Sequence, residues 1–243
     1  MYKRILFCIL SLLFINNLYS QENKFNFYTN LAVDLGGAIP FPLSDIPDGA
    51  GGTPEPYPMV GIGTEYTLNE KWQFGLELNY HLIAFTATAD VVSQETTFDN
   101  GSATYFTGYT ETDVELRFVE FPLLAFYHVK EGKRVLFGAY YSRILEGKFL
   151  TNGFDGVLSS NKEDTDNAIL PGPADISYSF NQFLDKYDYG LLIGYSYDVG
   201  ERFYLWGRIN VGFKSIFVPD FNNIDYEMYH VRLNIGASFK LRG

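Results

Sequence analysis

The feature that most constrains this chain is a period of two. From Tyr229 to Leu241 every odd-numbered residue is apolar (Tyr229, Val231, Leu233, Ile235, Ala237, Phe239, Leu241), and the even-numbered ones from His230 to Lys240 are polar or glycine. Residues 72–84 repeat the pattern, with Trp72, Phe74, Leu76, Leu78, Tyr80, Leu82 and Ala84 on one face and Gln73, Gly75, Glu77, Asn79 and His81 on the other. Side chains alternate across a strand but recur every 3.6 residues on a helix, so both segments predict strands with one apolar and one polar face. Residues 25–38, 59–68, 186–199 and 202–214 alternate as well, with Tyr28, Leu192 and Trp206 interrupting their polar faces. Segments 114–129 and 133–147 are less regular. The apolar parity shifts between Phe118 and Val119, which predicts a bulge, and Pro122 removes a ladder donor.

The connections add direction. Asn69-Glu70-Lys71, Lys130-Glu131-Gly132 and Gly200-Glu201 are of hairpin length, whereas 40–57, 86–113, 149–180 and 216–227 are long and rich in Gly, Pro, Ser, Thr and Asn. Short and long connections in alternation place every long loop at one end and both termini at the other. This predicts an all-β fold, an eight-stranded antiparallel transmembrane β-barrel with short periplasmic turns and four long extracellular loops. A ten-stranded ring stays open if 86–113 holds a further hairpin, since Val91-Val92 and Thr104 to Tyr109 suit a strand. The long loops carry 16 acidic residues and one basic residue, Lys162. Such tips keep an exposed end soluble. The sharper reading, a divalent-cation surface, rests on Asp164 and Asp166 spaced like the start of a calcium loop, but without its turn glycine and distal glutamate.

Alternation alone does not say which face is outside. A soluble lipocalin-like barrel keeps its apolar face inward around a ligand, whereas a membrane barrel shows it to lipid. Here the polar face carries Glu77, Asn79, His81, Glu115, Arg117, Asp188, Arg208, Asn210, His230, Arg232 and Asn234 among glycines. Interleaved opposite charges suit the packed interior of a small barrel, so Glu77, His81, Arg117, Asp188, Arg208 and Arg232 are expected to form a lumen network. Phe25, Phe27, Trp72, Phe203 and Tyr229, near strand ends, are expected in aromatic girdles.

Lys3 and Arg4, the apolar run Ile5 to Ile15 and Ser20 read as a secretory signal over 1–20, leaving 21–243 as the barrel domain. The run is too short to span a bilayer as a helix. Its removal would take away Cys8, the one cysteine, and with it disulfide, thiolate and Cys-metal chemistry. A net charge of -11 for the whole chain leaves no basic surface for a nucleic acid. No cofactor or metal motif is expected.

An enzyme is expected only if a triad closes. His230 and Ser238 are about 26 Å apart along one strand and Glu77 and His81 about 13 Å, at ~3.3 Å per residue, beyond hydrogen-bond reach. An acyl hydrolase acting on lipid would instead need His81 or His128 exposed beside a serine and an acid. A small-solute channel would need an open lumen, and eight strands leave room only for side chains.

The stretches Glu120-Phe121-Pro122-Leu123-Leu124 and Tyr187-Asp188-Tyr189-Gly190-Leu191-Leu192-Ile193-Gly194, with the spacing of eight strands over roughly 22–243, resemble the PorT-like outer-membrane β-barrel family of Bacteroidota, small barrels of the OmpX/OmpA type. Asn234, Gly236, Phe239 and Leu241 are similar to the last-strand signal read by barrel-assembly machinery, although Arg242 and Gly243 follow. The resemblance implies a bacterial outer-membrane location, with lipid, lipopolysaccharide and that machinery as partners, but no single activity. Some members serve secretion or gliding assemblies. The expected role is therefore non-enzymatic, recognition of an extracellular protein or an envelope complex through the long acidic loops.

Overall fold

A computed structural model describes residues 24–46, 49–97, 103–160, 174–221 and 226–241. The expected signal over 1–20, with Cys8, lies outside the described residues, as do Lys162, Asp164, Asp166, Arg242 and Gly243. Among the described residues ten strands form: β1 (Phe25–Phe41), β2 (Gly51–Glu55), β3 (Tyr57–Thr67), β4 (Trp72–Thr97), β5 (Ala103–Lys130), β6 (Lys133–Ser159), β7 (Ala174–Ser179), β8 (Tyr187–Asp198), β9 (Phe203–Ser215) and β10 (Glu227–Leu241). Eight of them close a ring in the order β1, β3, β4, β5, β6, β8, β9, β10, and β10 pairs back to β1 from Phe27↔Leu241 to Phe41↔Glu227. Every pair is antiparallel. The ring is eight-stranded; β2 and β7 stand outside it, paired to the upper parts of β4 and β6.

Closure satisfies the backbone groups of the ring and leaves it without an edge, the condition for a sheet to face lipid. The apolar set does face outward: Leu31 is 66% exposed and Ile193 61%, and Leu76, Leu123, Leu191 and Leu205 are exposed with them. This arrangement is opposite to that of a lipocalin-like barrel. Rings mark both margins of the band. At the short-turn end Phe25 packs on Tyr66, Trp72 on Tyr127 and Phe203 on Phe239; at the other, Phe41 meets Tyr229 and Tyr141 stacks on Tyr187.

Three expectations about elements need correction. Residues 86–113 are not a loop: they carry β4 and β5 onward, paired from Thr86↔Asp113 to Thr97↔Ala103. Threonine, valine and tyrosine recur there, residues that suit a pleated surface. Within 149–180, β6 likewise runs to Ser159 and β7 begins at Ala174. The parity of β5 does not shift either. Val114, Leu116, Phe118, Glu120, Leu124 and Phe126 all point inward, so the sequence irregularity is a lumen that becomes apolar at that height. The actual bulge lies in the partner strand, where Arg117 pairs Glu146 but Phe118 pairs Ile144, leaving Leu145 extra.

Candidate functional site

The lumen is filled in tiers, each built around an arginine from a different strand. Nearest the short turns, β6 supplies Arg134, whose Nη1 donates to Glu65 at 3.1 Å and to Gln73 at 3.1 Å while Nε donates to Ser196. Its guanidinium lies between the rings of Phe126 and Tyr204, at 4.9 and 4.5 Å. In the middle, β9 supplies Arg208, which donates to both oxygens of Glu77, at 2.8 and 3.1 Å, and lies 3.8 Å from the Trp206 ring. Glu77 also accepts from the Tyr28 hydroxyl and the Asn79 amide, both at 2.9 Å. In the third tier β10 supplies Arg232, paired with Glu120 and, at 3.3 Å, with Asp34. His81 Nδ1 sits 2.7 Å from Asp34, and its ring stacks on Phe118.

These charges lie out of water, where an unpaired one would cost several kcal/mol, so the pairing is what lets the interior be polar. Close approach helps: a Cβ on Gly63 would fall 2.3 Å from the Tyr28 ring, so only glycine leaves room for that hydroxyl to reach Glu77. Glu77, His81, Asp188, Arg208 and Arg232 all sit inside, Asp188 accepting from the Tyr140 hydroxyl at 2.8 Å. Arg117 does not. It lies on the outer surface with its side chain 49% exposed, paired to Glu146, and Glu115 is outside with it, paired to Lys148. The reason is the parity of β5, which gives even-numbered positions to the lumen.

Asp34, Glu65, Glu120 and Arg134 also belong to the network and were not singled out by sequence. Strand parity is the signal that finds them, because Asp34 shares the face of Tyr28, Asn30 and Ala32, and Arg134 that of Leu136, Tyr140 and Ser142. The aromatic and aliphatic residues on those faces hid it. Tyr28, Leu192 and Trp206, which seemed to interrupt polar faces, are lumen residues themselves, and the Trp206 Nε1 donates to Ser238 at 2.8 Å. In the last strand Asn234 is buried and accepts from the Asn210 amide, while Leu241 is exposed and Phe239 packs on Phe203 in the lower girdle. Gly236 approaches Ala32 so closely that a Cβ would meet it at 2.5 Å.

Above the arginine tiers the lumen ends in an apolar plug. Phe85, Leu116, Phe118, Phe149, Phe180 and Phe217 pack there, and Phe217 stacks on Phe221 at 4.2 Å. Beyond the plug β2, β4, β5, β6 and β7 rise as a wall, whose inner side holds a cavity of about 270 Å³. Phe85, Phe149, Tyr178, Phe180 and Met228 line its base, and Thr88, Thr110, Thr112 and Thr151 its side. Among the described residues no charged side chain lines it, although the surrounding segments are acidic. Burial pushes the Tyr178 phenol up to about 12, so this hydroxyl stays neutral across the physiological range.

Of the histidines, His81 is sealed within the third tier, and His230 is buried beneath the plug, edge-on to Phe118. His128 lies near the short-turn end. Ser142 reaches the same tier through Glu120, to which its hydroxyl donates at 3.0 Å.

The sequence model of a family described as "Outer membrane protein beta-barrel domain" matches residues 19–218. No curated protein matches the chain. Similar solved structures include Ail, the attachment invasion locus protein of Yersinia pestis, at 11% identity and TM-score 0.40, covering 89% of this chain and 97% of that one. Neisserial surface protein A is 12% identical with TM-score 0.40, over 90% and 98% of the two chains. Acinetobacter baumannii CarO2 is 11% identical with TM-score 0.42, over 89% and 99%.

Proposed function

Because this chain belongs to the outer membrane protein beta-barrel domain family, and is thus a bacterial outer-membrane barrel, we propose that it performs non-enzymatic recognition at the cell surface. Its partner on this reading is an extracellular protein or an envelope complex. The observation that carries the reading is the wall. A transmembrane strand needs about 9–11 residues, yet β4, β5 and β6 have 26, 28 and 27. The excess of β4 from Ala84 to Thr97 is about 43 Å of strand at ~3.3 Å per residue. Ordered sheet of that length, with an uncharged cavity at its foot and acidic residues around it, offers a preformed surface whose ordering cost is already met in folding. We read the chain further as a PorT-like member, on the 120–124 and 187–194 stretches, inserted by barrel-assembly machinery through its last strand.

Catalysis on lipid is disfavoured because His81 and His230 are inside the barrel. Solute conduction is disfavoured because arginine tiers and plug occupy the lumen. The test is to replace residues 95–105 with Asn-Gly, a two-residue hairpin turn between Gln94 and Phe106, which are paired in the intact strands. Chemical cross-linking on intact cells is expected to lose a specific partner while the barrel still assembles. An unchanged partner set, or altered lipid acylation on His128→Ala, would overturn the reading.

A further inference from the structure

Above the lipid-facing band, the outer surface carries its positive charge on one side only. Ten residues separate Lys133, at the short-turn end of β6, from Arg143. That is about 33 Å of strand, or ~23 Å of height at a 45° tilt, close to the ~25 Å of a barrel's apolar band. Arg143 thus marks the upper margin of the band, one outward position beyond Tyr141, which stacks on Tyr187. Five outward basic residues of the described chain lie at or above this margin: Arg117, Arg143, Lys148, Lys186 and Lys214. All sit on or beside β5, β6, β8 and β9; the outward faces of β1, β3, β4 and β10 hold none there. Three are neutralised locally, Arg117 by Glu146, Lys148 by Glu115 and Lys214 by Asp185.

Arg143 and Lys186 are different. Both are exposed, and neither has an ion-pair partner among the described residues. They occupy neighbouring rungs, since Arg143 pairs Tyr187 in register and the Ile144 amide donates to the Lys186 carbonyl at 2.9 Å. A groove of about 270 Å³ separates β6 from the turn before β8, lined by Arg143, Leu145, Glu146, Asn181, Asp185 and Lys186, and its two carboxylates are already paired, Glu146 with Arg117 and Asp185 with Lys214. That leaves the cations of Arg143 and Lys186 without a counter-charge, beside the Asn181 amide. Tyr141, Tyr187 and Tyr189 continue below into the lipid-facing band.

We propose that this groove binds a phosphate-bearing glycolipid of the outer leaflet, with Arg143 and Lys186 on the phosphate and the acyl chains lying down the tyrosine face. Charge and height select the ligand together. A phosphate at the leaflet surface lies where the two cations are, and a soluble anion would gain nothing from the apolar surface beneath. The acidic loops above would repel a soluble polyanion approaching from outside. The inference rests on the membrane location and not on the recognition reading, so either can fail alone.

The full-length protein, purified in a neutral detergent, is incubated with bisphosphorylated lipid A or its phosphate-free counterpart, and bound lipid is counted by native mass spectrometry. Each Lys or Arg near a charged lipid surface is worth about fivefold, so Arg143→Gln with Lys186→Gln is expected to reduce retention of the phosphorylated lipid by roughly ten- to thirtyfold. Arg143→Lys with Lys186→Arg should keep it. High salt should strip phosphorylated lipid from the wild type and leave phosphate-free lipid unaffected, a comparison that needs no variant to fold. Equal retention by the glutamine variant, or equal retention of the phosphate-free lipid, would overturn the proposal. Complete displacement by millimolar inorganic phosphate would also overturn it, by assigning the site to the free ion.

Discussion

Two ion pairs of the same chemistry make opposite predictions because their surroundings differ. Glu77 and Arg208 are both buried, and Glu77 accepts from four donors. Arg208→Met would leave a carboxylate in the lumen without its cation, so unfolding in detergent should become easier by about 3–5 kcal/mol. The double variant Glu77→Leu with Arg208→Met should recover more than half of that loss. Arg117→Gln, by contrast, breaks a pair whose side chains are 49% and 67% exposed, and is expected to cost less than about 1 kcal/mol. If the two losses prove equal in urea titration, the assignment of inside and outside on β5 and β9 is wrong. Gly63→Ala tests the same tier from its neighbour. The added methyl displaces the Tyr28 ring and breaks its bond to Glu77, a loss of about 1–3 kcal/mol that Tyr28→Phe in the same background should not deepen.

Among elements, β6 carries most of the register. It pairs β5 along its whole length, β8 below and β7 above, and the extra residue Leu145 brings odd-numbered Phe149 onto the inward face that even-numbered Ile144 occupies. Because side chains alternate with a period of two, deleting Leu145 should leave a regular ladder, with Ile144 opposite Phe118, Glu146 opposite Arg117 and Phe149 still in the plug. A cysteine placed at 149 is expected to resist a water-soluble maleimide with or without Leu145; reactivity on deletion would mean that the bulge is not where the strand takes up its extra residue. The wall above has its own irregularity at Val91/Gln94, where Ser93 adopts a φ of 51° and donates its amide to Thr107.

At the scale of the whole molecule, the barrel is closed in two different ways, by charge below and by rings above. Opening either alone leaves the other, so in planar bilayers the protein is expected to show no steady ion current. Phe118→Ala together with Phe217→Ala, which thins the plug, should not create one, since the guanidinium of Arg232 still crosses the lumen beneath. A sustained current from the intact protein would show that the tiers do not seal. The band and its girdles fix the chain in the outer membrane, and the wall stands beyond them.

Much of this was legible in the sequence because it depends on local periodicity. Alternation over 72–84 and 229–241 determined strands, and the spacing of short and long connections predicted a ring of eight with ten left open, a choice that only the pairing of β4 with β5 made. The free energy of lipid contact leaves only a closed barrel for apolar faces of this kind, so location followed too. Glu77, His81, Asp188, Arg208 and Arg232 could be placed on the polar face, but their partners could not, since which carboxylate meets which arginine depends on the stagger between strands far apart in the chain. Tyr28, Trp206, Leu116 and Phe118 blurred the pattern because a lumen of eight strands is a packed core in its own right, with apolar tiers as well as charged ones. That packing reversed the reading of Arg117. The continuation of β4, β5 and β6 beyond the membrane was likewise decided only by tertiary pairing: Thr, Ser, Gly and Asp are loop residues by composition, and become strand when a neighbouring strand offers its ladder.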